Sequence, residues 1–266
     1  MSKFTGRAFG IETLVKASFH AIEDGAYVLA SSRSHDILSL RKGILSAPHA
    51  ALITEIKFAS PSLGKLPQHS SSPEKIASSM VGSGATALSV LTQPNFFDGS
   101  IKSIERVRRR VPIPIMMKDI IVSKVQIEAG KQAGADCVLL IKSVFDKNLA
   151  EEDLGSLYEF ARGKGLEIMV ETHSDSEYEE ALGEGYSLVG INNRDLESLK
   201  VDITTTKRLI AKFGKGRSTV ITESGIASRN DIKTLHKAGA DAFLVGTSIM
   251  EAKNVALKVR ELYESI

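Results

Sequence analysis

What this chain lacks narrows its class first. It holds no tryptophan, which decides nothing by itself, and one cysteine among 266 residues. A single thiol closes no internal disulfide, so a reducing, cytoplasmic setting is expected. Cys137 lies in the apolar run "ADCVLLI" and reads as a small core residue rather than a nucleophile. No apolar run reaches the roughly 18 residues that span a bilayer, so no membrane partner is expected. The opening stretch, "MSKFTGRAFGIETLVKASFH", has no unbroken apolar segment of the secretory kind. There is no excess of one charge either: 34 Lys and Arg stand against 32 Asp and Glu, a net +2. A nucleic-acid binder would concentrate basic residues on one face, and none is expected to bind here. The one dense basic run, "RVRRR" at 106–110, has no interleaved aromatics and leads into "VPIP". It reads as the solvated end of a helix. His20, His35, His49, His69 and His236 show no ligand spacing with Cys or carboxylates, so no metal site is expected.

What is there is a repeat. "GATALSVL" at 84, "GADCVLLI" at 134, "GYSLVGIN" at 185 and "GADAFLVG" at 239 each follow a helical pattern, begin with Gly and run into an apolar strand. Gly is the usual residue just past a helix end, where a positive φ is needed. The glycines are spaced by 50, 51 and 54 residues. One strand–helix unit takes roughly 25 to 30 residues, so each step holds two. The strands between are "ALITEIK" (51–57), "IPIMMK" (113–118), "LEIMVE" (166–171) and "RSTVITE" (217–223). Eight near-continuous apolar strands alternating with helices predict an α/β fold, a closed (β/α)8 TIM barrel. An open doubly wound sheet is the alternative, but the first strand-to-helix turn, "FASPSLG", lacks a G-x-G-x-x-G fingerprint. A single domain is expected over 1–266, with the barrel at 49–266. Residues 1–48 form an N-terminal helical extension, in which Ile37, Leu38, Arg41 and Ile44 fall at helical spacing behind a possible N-cap at Ser34.

Charged residues sit at the ends of these strands. Successive strand residues face opposite sides, so Ile53, Glu55 and Lys57 share one face. Ions turned toward the helix layer would be buried in apolar surroundings at several kcal/mol each. Glu55 and Lys57 should therefore point into the barrel, near the C-terminal mouth where this fold places its active sites. Lys118 and Asp119, Glu171, Asn192 and Arg194, and Glu223 with Ser224 and Gly225 end further strands. "SGIAS" after strand 7 and "GTS" after strand 8 supply free N–H groups and hydroxyls where the fold binds phosphate. Simpler readings compete: Glu55 and Lys57 as a structural ion pair, Asp119 as an N-cap or brace, Thr247 and Ser248 as caps of the last helix. His173 is expected to be solvated or to brace its neighbours. The set on one rim is what favours a site.

These residues resemble the indole-3-glycerol phosphate synthase family. The likeness runs from about Ser34 to the C-terminus and rests on "EIKFASPSLG", "SVLTQPNFFDGS", "MMKDIIV", "GADCVLLI", "MVETH", "GINNRDL", "TESGI" and "LVGTSIM", in family order. The resemblance implies ring closure, decarboxylation and dehydration of 1-(2-carboxyphenylamino)-1-deoxyribulose 5-phosphate, in tryptophan biosynthesis. It implies no cofactor and no metal, and a small sugar-phosphate substrate as the partner. It implies Lys118 as general acid and Glu171 as general base. Lys57 falls at the lysine that contacts the substrate carboxylate and takes part in proton transfer. Glu55 and Asn192 fall at orienting positions. Ser60, Arg194 and Glu223 fall where substrate is bound, Ser224, Gly225, Gly246 and Thr247 where phosphate is held, and Phe97 and Leu140 where an apolar wall meets the anthranilate ring. The chain departs from the family at Ile120, where Phe is usual; at Thr247, where Ser or Glu is commoner; and at Phe58 and Leu63, where basic residues are frequent. A monomer or weak homo-oligomer is expected. Two other readings stay open. One is another phosphate-binding barrel enzyme such as phosphoribosylanthranilate isomerase, which relies on a Cys and an Asp as its acid–base pair, whereas strand 1 here offers Glu55 and Lys57 and no Cys. The other is a non-catalytic barrel scaffold.

Overall fold

In the computed structural model the described residues are 10–30, 35–68, 70–196 and 198–266, so the possible cap at Ser34 and His69 lie outside them. Eight parallel strands close on themselves: β1 (Leu52–Ile56), β2 (Ala87–Leu91), β3 (Ile115–Lys118), β4 (Cys137–Ile141), β5 (Glu167–Thr172), β6 (Leu188–Asn192), β7 (Thr219–Glu223) and β8 (Ala242–Val245). Each pairs with the next, and β8 returns to β1 with Ile53 beside Leu244. A helix follows every strand, from Pro73–Val81 after β1 to Val255–Tyr263 after β8. This is the (β/α)8 barrel. Closure removes every strand edge, and all eight strands are almost wholly buried.

Local chemistry explains the punctuation. Ser100, Ser123, Asp153, Ser174 and Asn254 each accept a backbone N–H at a helix start. Ser228 and Asp231 form a reciprocal capping box. Gly134, with φ of +103°, closes the helix Lys124–Ala133, and a Cβ there would come within 2.9 Å of Arg108 Cγ.

That contact corrects the reading of the basic run. Arg106 pairs with Glu74 at the surface, but Arg108 is not solvated. Its guanidinium donates to the carbonyls of Gly134 and Ile113 at 2.9 and 3.0 Å and pairs with Asp136. Asp136, fully buried just before β4, also accepts from Ile115 N at 2.8 Å and Leu38 N at 2.9 Å, and His35 Nε2 lies 3.1 Å away. One carboxylate thereby ties together two strand beginnings, a helix end and the N-terminal extension.

The extension contributes two helices, α1 (Ile11–Glu23) and α2 (Leu40–Leu45), placed at opposite ends of the barrel. α1 lies at the mouth, where Asn95 Nδ2 donates to Ala17 O at 3.3 Å. α2 lies at the base, where Ser39 Oγ donates to Glu167 Oε1 at 2.6 Å and Arg41 Nε to Thr219 Oγ1 at 3.1 Å. The second helix starts later than its periodicity suggests, because Leu38 N–H goes to Asp136 and the backbone at 35–39 docks on strand beginnings instead of coiling. Ser39, not an earlier residue, caps it by accepting from Lys42 N.

Asp136→Ala should leave the buried Arg108 guanidinium without a counter-ion and several N–H groups without an acceptor. Unfolding free energy in urea is expected to fall by about 3–5 kcal/mol, with far-UV circular dichroism retained at low denaturant. A loss within about 0.5 kcal/mol would show that water reaches and solvates that arginine.

Candidate active site

The strand alternation that seals the barrel also delivers its charges to one place. At the C-terminal mouth lies a cavity of about 320 Å³. Its wall brings together Glu55, Lys57, Ser60, Phe97, Lys118, Glu171, Asn192, Arg194, Glu223, Ser224, Gly225, Gly246 and Thr247, from seven strand ends or the loops after them. One expected residue is not there. Leu140 is fully buried but off the cavity wall, and its neighbours Leu139 and Ile141 face it instead. The reason is strand parity: adjacent residues of β4 point to opposite faces, so Leu140 turns to the helix layer.

Lys118 is the centre. Its Nζ lies 2.8 Å from Glu171 Oε2 and 2.8 Å from Glu223 Oε2. These carboxylates reach across the barrel interior from β5 and β7. Asn192 Nδ2 donates to Glu171 Oε1 at 3.0 Å, and Asn192 Oδ1 accepts from Arg194 N at 3.0 Å. Lys57 pairs with Glu55 at 3.0 Å. Glycines make the room: a Cβ at Gly190 would approach Glu223 Oε1 to 3.1 Å, and one at Gly246 would strike Glu55 Oε1 at 2.4 Å.

The electrostatics separate two identical side chains. Burial alone would push the Lys118 ammonium down, but the charges of Glu171, Glu223 and Glu55 outweigh it and hold it well above its ordinary value. Burial alone would raise Glu171; Lys118 and His173 overcome that and keep it well below the carboxylate range. Burial and the charge of Glu171 raise Glu223, with Lys118 only partly opposing. Titratable groups whose environments pull them apart in this way can divide acid and base roles.

Residues that sequence reasoning treated lightly complete the site. Asp119 braces but does not cap. Its carboxylate accepts from Tyr27 Oη at 2.8 Å and Ile120 N at 2.7 Å, contacts Thr92 Oγ1, and lies 3.3 Å from Gln126 Nε2, while Ser123 caps the following helix. Burial pushes it up to about 6 against those donors. The network ties the extension's Tyr27 to the residue after Lys118. Leu14 of α1 reaches the cavity wall, a contribution from 104 positions before Lys118 that no local pattern announces. His173 is not solvated. Only 9% of its side chain is exposed, and its Nε2 lies 3.0 Å from Glu171 Oε1. Asn193 holds the loop after β7 by donating to Ser224 O and Thr222 Oγ1, both at 3.1 Å. In that loop Ser224 and Gly225 take successive positive φ of 69° and 81°. A Cβ on Gly225 would also collide with Val201 Cγ1 at 2.5 Å, so only glycine fits. Ser248 Oγ donates to Ile226 O rather than capping a helix. Among the described residues no group of three or more His, Cys, Asp or Glu could hold a metal ion.

A family model for indole-3-glycerol phosphate synthase matches residues 16–262. The chain belongs to this family. Indole-3-glycerol phosphate synthases similar to it include that of Methanocaldococcus jannaschii, 44% identical over 227 residues, covering 84% of this chain and 82% of the relative. That of Aquifex aeolicus is 42% identical, covering 79% of this chain and 80% of its own length, and that of Burkholderia ambifaria 40% identical, covering 84% of each. Among solved structures, thiamine phosphate pyrophosphorylase from Pyrococcus furiosus superposes with a TM-score of 0.59 at 16% identity, over 85% of this chain and 97% of that one. A 3-hexulose-6-phosphate synthase gives 0.59 and 16%, over 81% and 99%. At such identity these two show the shared barrel alone. Ile120, which follows "MMKD", lines the cavity.

The imidazole of His173 is raised to about 9: burial opposes the charge, and Glu171 and Glu177 more than compensate. A raised folded-state value favours folding below the ordinary imidazole range and loses that contribution as pH rises through about 9. Urea-unfolding free energy should therefore decline from pH 7 toward pH 9, by on the order of 1–3 kcal/mol, and the decline should shrink in His173→Gln. An unchanged decline in that variant would assign it to other groups.

Proposed function

We propose that Lys118 and Glu171 are the acid and base of the family's reaction, with Lys57, Glu55 and Asn192 completing the machinery. The activity is that of the family: conversion of 1-(2-carboxyphenylamino)-1-deoxyribulose 5-phosphate to indole-3-glycerol phosphate, CO₂ and water, a carboxy-lyase step of tryptophan biosynthesis. The observation that supports the residue roles most is the Lys118 ammonium held 2.8 Å from two carboxylates at the mouth.

In this reading the phosphate settles between the loops after β7 and β8, against Ser224, Gly225, Gly246 and Thr247. Backbone N–H groups there face a dianion with little reorganisation. The bound phosphate anchors the substrate so that its carbonyl oxygen lies at Lys118. Lys118 gives that oxygen a proton as the ring carbon bearing the carboxylate attacks the carbonyl carbon. Loss of CO₂ returns its bonding pair to the ring. The new hydroxyl then takes a second proton and leaves as water, while Glu171 removes a proton from the carbon next to nitrogen. With the substrate's carboxylate counted as ionised, one proton enters from solvent per turnover. Lys57, beside Glu55, would meet the carboxylate before it leaves. Ser60, Arg194 and Glu223 would bind the polyol chain, and Phe97, Leu139, Ile141 and Ile120 would form the apolar wall. α1, through Leu14, would help exclude water from the intermediate. A cytoplasmic location is also proposed, supported by the free, buried thiol of Cys137.

Two experiments test the roles. Lys118→Met keeps the stem and removes the proton, so kcat should fall by about 10²–10⁴ with binding largely kept. Glu171→Gln should slow the later dehydration, so that rapid quench shows an intermediate already free of CO₂. Parent-like turnover in Lys118→Met would transfer the acid role to Lys57. For the phosphate, Thr247→Asp sets a carboxylate beside the dianion without a Cβ pressed against Glu55. Affinity for a phosphate-bearing product analogue should drop by several kcal/mol, and unaltered affinity would move the phosphate elsewhere.

A further inference from the structure

The carboxylate read as the base has a second cationic neighbour that the reaction scheme leaves unused. His173, the second residue after Glu171, places Nε2 3.0 Å from Glu171 Oε1 and Nδ1 3.5 Å from Glu177 Oε2. Glu177 grips the same residue by its backbone, accepting from His173 N at 2.8 Å. Glu177 is itself fixed, since its own N–H caps onto Ser174 Oγ at 3.2 Å as the first turn of the helix Asp175–Gly183. Neither ring nitrogen makes an aligned hydrogen bond, and both are shut off from water. Buried polar atoms left in that state call for an explanation, and contacts at catalytic centres commonly align only when substrate is bound.

The explanation lies in what happens to Lys118. In the free site Glu171 Oε2 is held by Lys118 and Oε1 by Asn192. When Lys118 turns to the substrate's carbonyl oxygen, Glu171 loses its strongest electrostatic partner. We propose that His173, clamped by Glu177, is the positioning residue that then keeps the Glu171 carboxylate ionised and aimed for proton removal. The proposal rests on the reading of Glu171 as the base.

The groups around this pair come from several elements. Lys118 on β3, Glu223 on β7 and Asn192 on β6 face Glu171, and Lys118 also feels Glu55 on β1. Glu177 feels Lys142, whose Nζ is held by Asp146 and Glu180 at 2.7 and 2.6 Å. Of these, only Lys118 and His173 bring positive charge directly onto a Glu171 oxygen. With Lys118 engaged, the charge of His173 sets how basic Glu171 is. Glu177 preserves that charge toward high pH.

The test is the pH profile of kcat for the parent, His173→Gln, Glu177→Gln and Glu171→Gln. Removing one unit charge beside a partly dry carboxylate shifts its titration by about one pH unit or more, so the acid limb of His173→Gln should move up by that amount. Its KM should stay within about twofold, because the ring does not touch substrate. In Glu177→Gln the ring remains but loses its counter-ion and gives up its charge above the ordinary imidazole value of about 6.5, so its profile should match that of His173→Gln above that pH and the parent's below it. If both variants lose the same factor at every pH with limbs unmoved, His173 only packs and the proposal fails. If His173→Gln does not fold, His173→Asn takes its place, and an unmoved acid limb in that variant overturns the proposal. Parent-like turnover in Glu171→Gln would instead overturn the reading of Glu171 as base. An inactive Glu171→Gln beside unshifted limbs in the other two would overturn only the role of His173.

Discussion

Lys118 carries its charge at the end of a strand at the barrel mouth, with 16% of its side chain exposed, where an unpaired ammonium would cost several kcal/mol. Its partners are not on adjacent strands. Glu171 and Glu223 come from β5 and β7, across the interior, and both meet the same nitrogen. The compensation therefore exists only once the sheet has closed and its register has brought Asn192 beside Glu223 and Glu171 beside Gly190. The chemistry of the mouth and the closure of the barrel depend on one another through this single ion cluster.

A symmetric clamp would give two equivalent carboxylates. The surroundings break the symmetry: Glu171 has Asn192 and His173 on its other oxygen, while Glu223 Oε1 is buried without a partner beside Gly190. One side chain is driven toward the ionised form and the other toward the protonated form, although their own chemistry is identical. In a low-dielectric interior small differences in donors become large differences in proton affinity.

The extension before β1 serves both ends of the molecule. Its first helix borders the mouth through Leu14, and Tyr27 donates to the carboxylate that follows Lys118. The stretch 35–41 is tied under the barrel to Asp136, Glu167 and Thr219. The two anchor points are polar and buried or half-buried, which fixes where the extension sits more narrowly than an apolar patch would.

The repeat of Gly followed by an apolar strand, at about double the length of one unit, was enough to read eight parallel strands and a closed barrel, because helix-end geometry and strand burial are local requirements. Strand parity likewise placed Glu55 and Lys57 on the inner face, and Lys118, Glu171 and Glu223 were legible as charges at strand ends. On β4 the same parity turns Leu140 away from the cavity, although the family resemblance implies it there. What no linear pattern held were the contacts between distant positions. The buried Arg108–Asp136 pair, the late start of the second helix, Tyr27 on Asp119 and Leu14 on the cavity wall were decided by tertiary packing. So was the separation of Glu171 from Glu223, since proton affinity depends on burial and on charges contributed by strands far apart in sequence, which exist only when the barrel is closed.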